Sequence, residues 1–317
     1  MERRQQRYNP LADRAPKPLI KLDPTATDLD VLDFLQGRIL PSAYIRTAPF
    51  STPDYIDDRL NLLAKAHLIC IPNGYNNRNA LYRYRPWVVA PRGYRMLESA
   101  GRLRNFEKLG SSSFDHDYLA QVAFYSFDYA EIEIPNLKKR TLQDVIAHSG
   151  LNLEINSEVP EHHIRPDAPL FGFEYTRPDG SKRYFYIHPF EADRGTENNG
   201  KTDDRQTLEG KLDRQAAYLT SGGFRNRYGI SNASAAWVFI NPDRADNFLH
   251  RVKTKYPHLS NRVLVKVLPD FLHYDDFPPP TAHMVTEDWR TAMGTFNILK
   301  FLKGDDDGHA KGARAGG

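Results

Sequence analysis

Cysteine is almost missing from this chain: Cys70 is the only one in 317 residues. A single cysteine excludes a disulfide framework and any cysteine-based zinc finger, and a reducing, cytoplasmic setting is the expectation. Long apolar runs are missing too, since none reaches the ~18 residues of a membrane-spanning helix. Met1 to Leu11 is basic and polar without an apolar h-region, so no secretory signal is expected. No internal repeat occurs. No G-x-S-x-G motif and no credible Cys–His pair appear either, which leaves nucleophilic hydrolase chemistry without support.

What is present is a charge asymmetry. The totals, 43 basic and 40 acidic side chains, give a net charge of only +3. Residues 1–110 nevertheless carry 18 basic against 11 acidic groups, a net of +7, and the remainder carries −4. Opposite-sign halves fit a front that meets nucleic acid and an acid-rich back.

Residues 1–24, rich in Arg, Pro and Gln, read as a flexible basic arm. From Asp28, expected as a cap, Leu29, Leu32, Phe34, Leu35 and Ile39 recur at helical spacing. A short segment with Tyr44 and Ile45 follows, then a helix over Pro53–Ala66 with Ile56, Leu60 and Leu63 on its apolar face. His67–Ile71 and Leu81–Ala90 read as strands flanking a turn-rich stretch, and Pro91–Gly101 as a short helix. Three helices, a hairpin and a further helix are the order of a winged helix, so 25–110 is expected to be a DNA-binding domain of that kind. Arg78, Arg83, Arg85, Arg92 and Arg95 fall in or beside the expected wing, among Tyr75, Tyr82, Tyr84 and Tyr94. Guanidinium groups there can reach the phosphates of double-stranded DNA. The second helix is less suited to reading bases, because Asp54, Asp57 and Asp58 open it and only Arg59 and Lys65 follow.

Residues 111–150 are expected as a helical linker built on the apolar segment 114–134. Beyond it, Leu151–Val159, Leu170–Thr176 and Arg183–Glu191 read as strands, the last two joined by the hairpin turn Arg177-Pro-Asp-Gly180. A helix over Arg205–Thr220, a strand over Ala235–Ile240, a helix from Asp243 to Tyr256 and a last strand over Val263–Leu268 complete a mixed sheet across 151–303. Residues 304–317 read as a disordered tail.

Three carboxylates and a lysine stand out in this half. Asp167 precedes one strand, and Glu191 and Asp193 end the next, with i/i+2 spacing placing both on one face. Converging carboxylates form a hard-oxygen site suited to Mg²⁺ or Mn²⁺, and such a metal activates water against a phosphodiester. Lys211 lies on the following helix with Gln215 and Tyr218 on the same face. A lysine there can stabilise developing phosphate charge.

Arg165-Pro-Asp-Ala168, Phe190-Glu-Ala-Asp-Arg-Gly-Thr-Glu197 and the helix with Lys211 and Tyr218 resemble the replication–relaxation family of plasmids and mobile elements. The resemblance spans roughly Asp28 to Tyr256. It implies an α+β protein: an N-terminal winged helix, then a mixed α/β-sheet domain resembling the PD-(D/E)XK restriction-endonuclease-like fold. It further implies a role in replication, relaxation or mobilisation of an element, with replication or mobilisation proteins as partners. Asp167 and Glu191 would be metal ligands of a nuclease or nickase, with Asp193 and Lys211 beside them. The chain departs from the nuclease pattern two positions after Glu191, where Asp193 replaces the usual lysine. Lys211 then stands as a migrated replacement, and the alternative is a degenerate, binding-only domain in an accessory factor. The sequence leaves the oligomeric state open.

Two rival motifs are weaker. Gly195–Thr202 matches the P-loop pattern letter for letter. Against it stand the surrounding Glu191, Asp193, Glu197, Asp203 and Asp204, which would repel a triphosphate, and the poor Walker-type candidate Asp270. His162, His163 and His188 lack the spacing of a zinc site.

Overall fold

The structure, a computed structural model, describes residues 20–51, 53–72, 75, 85–103, 114–149, 158–195, 207–268 and 280–305. The chain divides into two compact units, Met1–Val122 with Phe271–Pro280, and Ala123–Asp270 with Thr281–Gly317.

The first unit opens with α1 (Ala26–Leu35). Its cap is Thr25 rather than the expected Asp28. Thr25 accepts from the Asp28 amide, and the Asp28 carboxylate accepts from the Thr25 amide at 2.7 Å. That reciprocal arrangement satisfies two otherwise orphaned amides. α2 (Ser42–Ile45), α3 (Pro53–Lys65) and α4 (Pro91–Ser99) accompany a small antiparallel sheet ordered β1 (Leu40–Pro41), β3 (Pro86–Val89), β2 (Ile69–Cys70). Val31, Leu32, Leu35, Ile56, Leu60, Leu63 and Leu97 form its buried core. Gly93 permits the close packing of α4, because a Cβ there would lie 2.2 Å from the Leu68 carbonyl oxygen. The expected hairpin tip, with Arg78 and Arg83, lies outside the described residues.

In the second unit, the helix α5 (Phe114–Glu133), begun in the first, precedes β4 (Leu137–Arg140) and α6 (Leu142–Ser149). Two long antiparallel strands follow, β5 (Phe171–Thr176) and β6 (Lys182–Asp193), then α7 (Leu208–Ser221) and α8 (Gly223–Tyr228). β7 (Ser234–Phe239), α9 (Pro242–Lys255), β8 (Val263–Val267), α10 (His283–Thr286), β9 (Trp289–Thr291), β10 (Gly294–Phe296) and α11 (Ile298–Lys303) complete it. The sheet is mixed, ordered β10-β9-β8-β7-β6-β5-β4, with β6, β7 and β8 parallel to one another and the remaining pairs antiparallel. The fold is therefore α+β with a seven-stranded mixed sheet.

Most of the expected elements appear within a few residues of their anticipated bounds. β4 was expected inside a helical linker but is a sheet strand. β9, β10 and α11 were not expected, so Val263–Leu268 is not the last strand. The expected strand Leu151–Val159 falls almost wholly outside the described residues, and Val159 makes a single bridge to Ile164.

Each face of the sheet carries its own core. On one, Phe124 and Phe127 of α5 pack edge-on or tilted against Phe171, Phe173 and Phe190. On the other, Leu212, Tyr218, Phe224, Trp237, Phe239, Phe248 and Val252 bring α7, α8 and α9 onto the strands. The β6 register against β7 shifts between Ile187 and Phe190, a bulge of one extra residue. Such a bulge reverses the inside–outside alternation beyond it. Phe185 and Phe190, odd and even, therefore both reach the phenylalanine face. Tyr186, His188 and Glu191 share the other.

Candidate active site

α7 forms because Thr207 caps it, accepting from the Gly210 amide at 3.0 Å, and Gly222 ends it in the left-handed region at φ +68°. Leu208, Leu212, Ala216 and Leu219 fix its apolar face on the sheet. Lys211 and Gln215, one turn apart, then meet the end of β6. Lys211 Nζ lies 3.2 Å from Glu191 Oε2, and Gln215 Nε2 donates to Glu191 Oε1 at 2.9 Å. The Gln215 carbonyl accepts from Trp237 Nε1 at 2.9 Å, which fixes the amide so that its NH₂ points at the carboxylate. Glu191 is only 2% exposed. A carboxylate so buried is tolerable only when charge-paired and hydrogen-bonded, and both conditions are met.

Asp167 reaches the same strand end through its backbone and side chain. Its amide donates to the Phe190 carbonyl at 2.9 Å, and its Oδ2 accepts from the Ala192 amide at 2.8 Å. Ala168 bridges Phe190. These bonds seat the Asp167 carboxylate at the backbone of the residue after Glu191, while Lys211 and Gln215 meet the Glu191 carboxylate itself.

Asp193 and Tyr218 are not part of that cluster. Asp193 is 2% exposed, accepts from Arg244 Nε at 2.7 Å and from the Gly195 amide at 2.6 Å. It anchors α9 to the strand end, because Arg244 lies in the first turn of that helix. Tyr218 is fully buried and its hydroxyl lies 2.9 Å from His188 Nδ1. Burial pushes its phenol well above the usual range. His188 is likewise core, packed edge-on against Tyr218 and Tyr228. Arg244 was not anticipated. Its partner is 51 residues away in sequence, and only the position of an arginine at a strand-following helix start hints at it.

Among the described residues no group of three or more His, Cys, Asp or Glu side chains is arranged to hold a metal. The groups whose chemistry suits a hard cation are the carboxylates of Asp167 and Glu191, the second of them paired with Lys211. The P-loop candidate lies outside the described residues from Thr196 to Thr202, and its first glycine donates its amide to Asp193.

In the first unit, three of the five expected DNA-facing arginines are described. Arg95 is exposed on α4. Arg92 donates to the Ala66 carbonyl at 3.3 Å, and the Arg85 guanidinium lies 5.9 Å from the Trp87 ring centre. Arg59, one of the two basic residues of the second helix, is buried and paired with Asp28 through both Nε and Nη2. Arg46 holds Asp57. No family model, no curated protein and no solved structure matches this chain.

Proposed function

We propose that the chain is a DNA-binding protein acting in replication, relaxation or mobilisation of a plasmid or other mobile element. In this reading its second unit is a PD-(D/E)XK-like domain that cleaves or nicks DNA. The observation that carries the reading is the Lys211–Glu191 contact at the end of β6, the strand end whose backbone Asp167 bonds through the Phe190 carbonyl and the Ala192 amide. The order of α5, three antiparallel strands, α7 and a parallel strand supports it, because that order presents acidic groups of adjoining strands to a following helix. The first unit supports it through its helices, its small three-stranded sheet and the basic character of the sequence around it.

Asp167 and Glu191 would hold Mg²⁺ or Mn²⁺, which when bound supplies an activated water and charge neutralisation at a phosphodiester. Lys211 supplies a fixed positive charge next to Glu191, where it can stabilise charge developing on phosphate oxygens. Gln215 orients Glu191, and the Trp237 bond holds Gln215 in place. Asp193 is neutralised by Arg244 and takes no part in cleavage.

Supercoiled-plasmid nicking with Mg²⁺ or Mn²⁺ tests the assignment. Asp167→Ala and Glu191→Gln should abolish nicking that the wild type shows, and calorimetry should record weakened Mn²⁺ binding in both. Unchanged nicking in both variants overturns it. A second reading, a non-catalytic DNA-binding accessory factor, is favoured by one fact: both Glu191 oxygens already have protein donors. It predicts plasmid binding without nicking by the wild type.

A further inference from the structure

A cleft of about 280 Å³ opens in the second unit, away from the carboxylates, with Arg140, Val145, His148, Tyr184, Tyr186 and Ile230 among its walls. It lies just under the ~300–1,000 Å³ of pockets for drug-sized ligands, a size for one small planar ring system. The rings of Tyr184 and Tyr186 are parallel within 2°, with centres 6.3 Å apart. Gly172 makes this possible. A Cβ there would sit 2.4 Å from the Tyr186 ring, so only glycine lets the ring settle onto β5. Tyr184 remains 38% exposed, an aromatic face left towards solvent.

The polar groups argue for a neutral planar ligand over a phosphate. Arg140 is the cation of the cleft, and its Nε already donates to Glu174 at 2.9 Å while its Nη2 bonds the same oxygen. Glu174 also takes Lys182 at 2.7 Å. An anion entering there would displace the two Arg140 bonds to Glu174 and face the Asp144 carboxylate that lines the same cleft. Parallel tyrosine faces, apolar Val145 and Ile230, and polar groups at the margin are the chemistry of base stacking.

We propose that this cleft binds an unpaired nucleobase of single-stranded DNA by stacking on Tyr184 and Tyr186. The inference rests on the DNA-acting reading above and adds a second contact in the same unit. The β6 bulge places the tyrosines and Glu191 on one sheet face, with Glu191 about 16 Å from Tyr186 and about 23 Å from Tyr184 along the strand at ~3.3 Å per residue. A strand with one base in the cleft would thus be held a few nucleotides from the carboxylates.

The test uses an oligothymidylate carrying one 2-aminopurine, whose fluorescence is quenched by stacking, with the full-length protein and Tyr184→Ala. Wild type should quench the base analogue. Tyr184→Ala, at a partly exposed position, should lose most of the quench and weaken binding about tenfold, while Tyr184→Phe retains both. An oligomer with abasic sites throughout should bind all three proteins equally. Equal quench and affinity for wild type and Tyr184→Ala overturn the proposal. So does Tyr184-dependent binding of thymidine monophosphate alone without any effect on the oligomer, which would make the site one for free nucleotide. Plasmid nicking is recorded in parallel: its absence in the wild type defeats the nuclease reading and leaves the quench to decide this one.

Discussion

Lys211 Nζ stands 3.2 Å from Glu191 Oε2, joining a helix to a strand end across 20 residues of chain. The pair can serve as catalytic apparatus or as a structural tie, and substitution separates the two roles. Lys211→Met removes the charge while retaining the stem that packs along α7. If the pair acts on phosphate, nicking should fall at least about 100-fold with a similar melting temperature, the size of effect seen when one electrostatic stabiliser is removed. A melting temperature that collapses together with activity would assign the lysine to stability alone.

Asp193 and Arg244 form the opposite case. Asp193 is buried at 1% side-chain exposure, Arg244 is partly buried at 12%, and the two are 2.7 Å apart. Removing one partner leaves an uncompensated buried charge, which costs about 3–5 kcal/mol. Asp193→Ala should therefore lower stability to urea by roughly that amount yet leave nicking per folded molecule unchanged. Lost nicking in a protein that is still folded would return Asp193 to the catalytic group.

The Asp28–Arg59 pair should make the first unit acid-sensitive. Burial works to raise the Asp28 pKa, but hydrogen bonds from Arg59 and Thr25 outweigh it and hold the carboxyl below its usual value. A depressed carboxylate contributes stability that is present above the unfolded value of about 3.9. That contribution disappears as pH falls through the lower folded value. Asp28→Asn should remove this acid-dependent part of the unfolding curve and lower stability at neutral pH. Denaturant titrations at pH 7 and pH 3 would record both.

His283 loses stability in the same direction but over a higher pH window. It is 5% exposed, with Nδ1 3.1 Å from Ser126 Oγ. Burial, aided by the nearby Lys266 ammonium, pushes its pKa down to about 4. The unfolded chain takes up a proton near pH 6.5 and the folded chain does not, so stability falls as pH drops from about 6.5 towards 4. The loss between pH 7 and pH 5 should be about 2 kcal/mol at ~1.4 kcal/mol per pKa unit. His283→Gln should flatten that slope, and an unchanged slope would show that the imidazole does not titrate as placed.

Much of this was legible along the chain. The caps, the hairpin turn at Arg177–Gly180 and the helical periodicities rest on residues within a few positions of one another, and the elements they predict are present. β9 and β10 are three residues each, too short for a period to register, and β4 alternates over only four. Asp167, Glu191, Lys211 and Gln215 were legible as residue types at helix and strand ends, and of these Lys211 and Gln215 contact Glu191 while Asp167 bonds the backbone of the same strand end. The Arg59 pairing was not: three residues after Ile56 and four before Leu63 it adjoins the apolar face of α3, but its carboxylate partner Asp28 depended on how α1 packs.

The sequence by itself determined the composition of the two halves, the helices and the long strands, and the chemical types available at the end of β6. It did this because propensity, capping and turn chemistry act over a turn or two of chain. Only the tertiary structure decided which carboxylate meets which cation. One extra residue in β6 turns Glu191 away from the phenylalanine core and towards α7, and the first turn of α9 brings Arg244 to Asp193. Strand alternation read without that bulge would put Glu191 on the face of Phe185 and Ile187. Pairing in three dimensions sets the register there, and the register assigns each acid its partner.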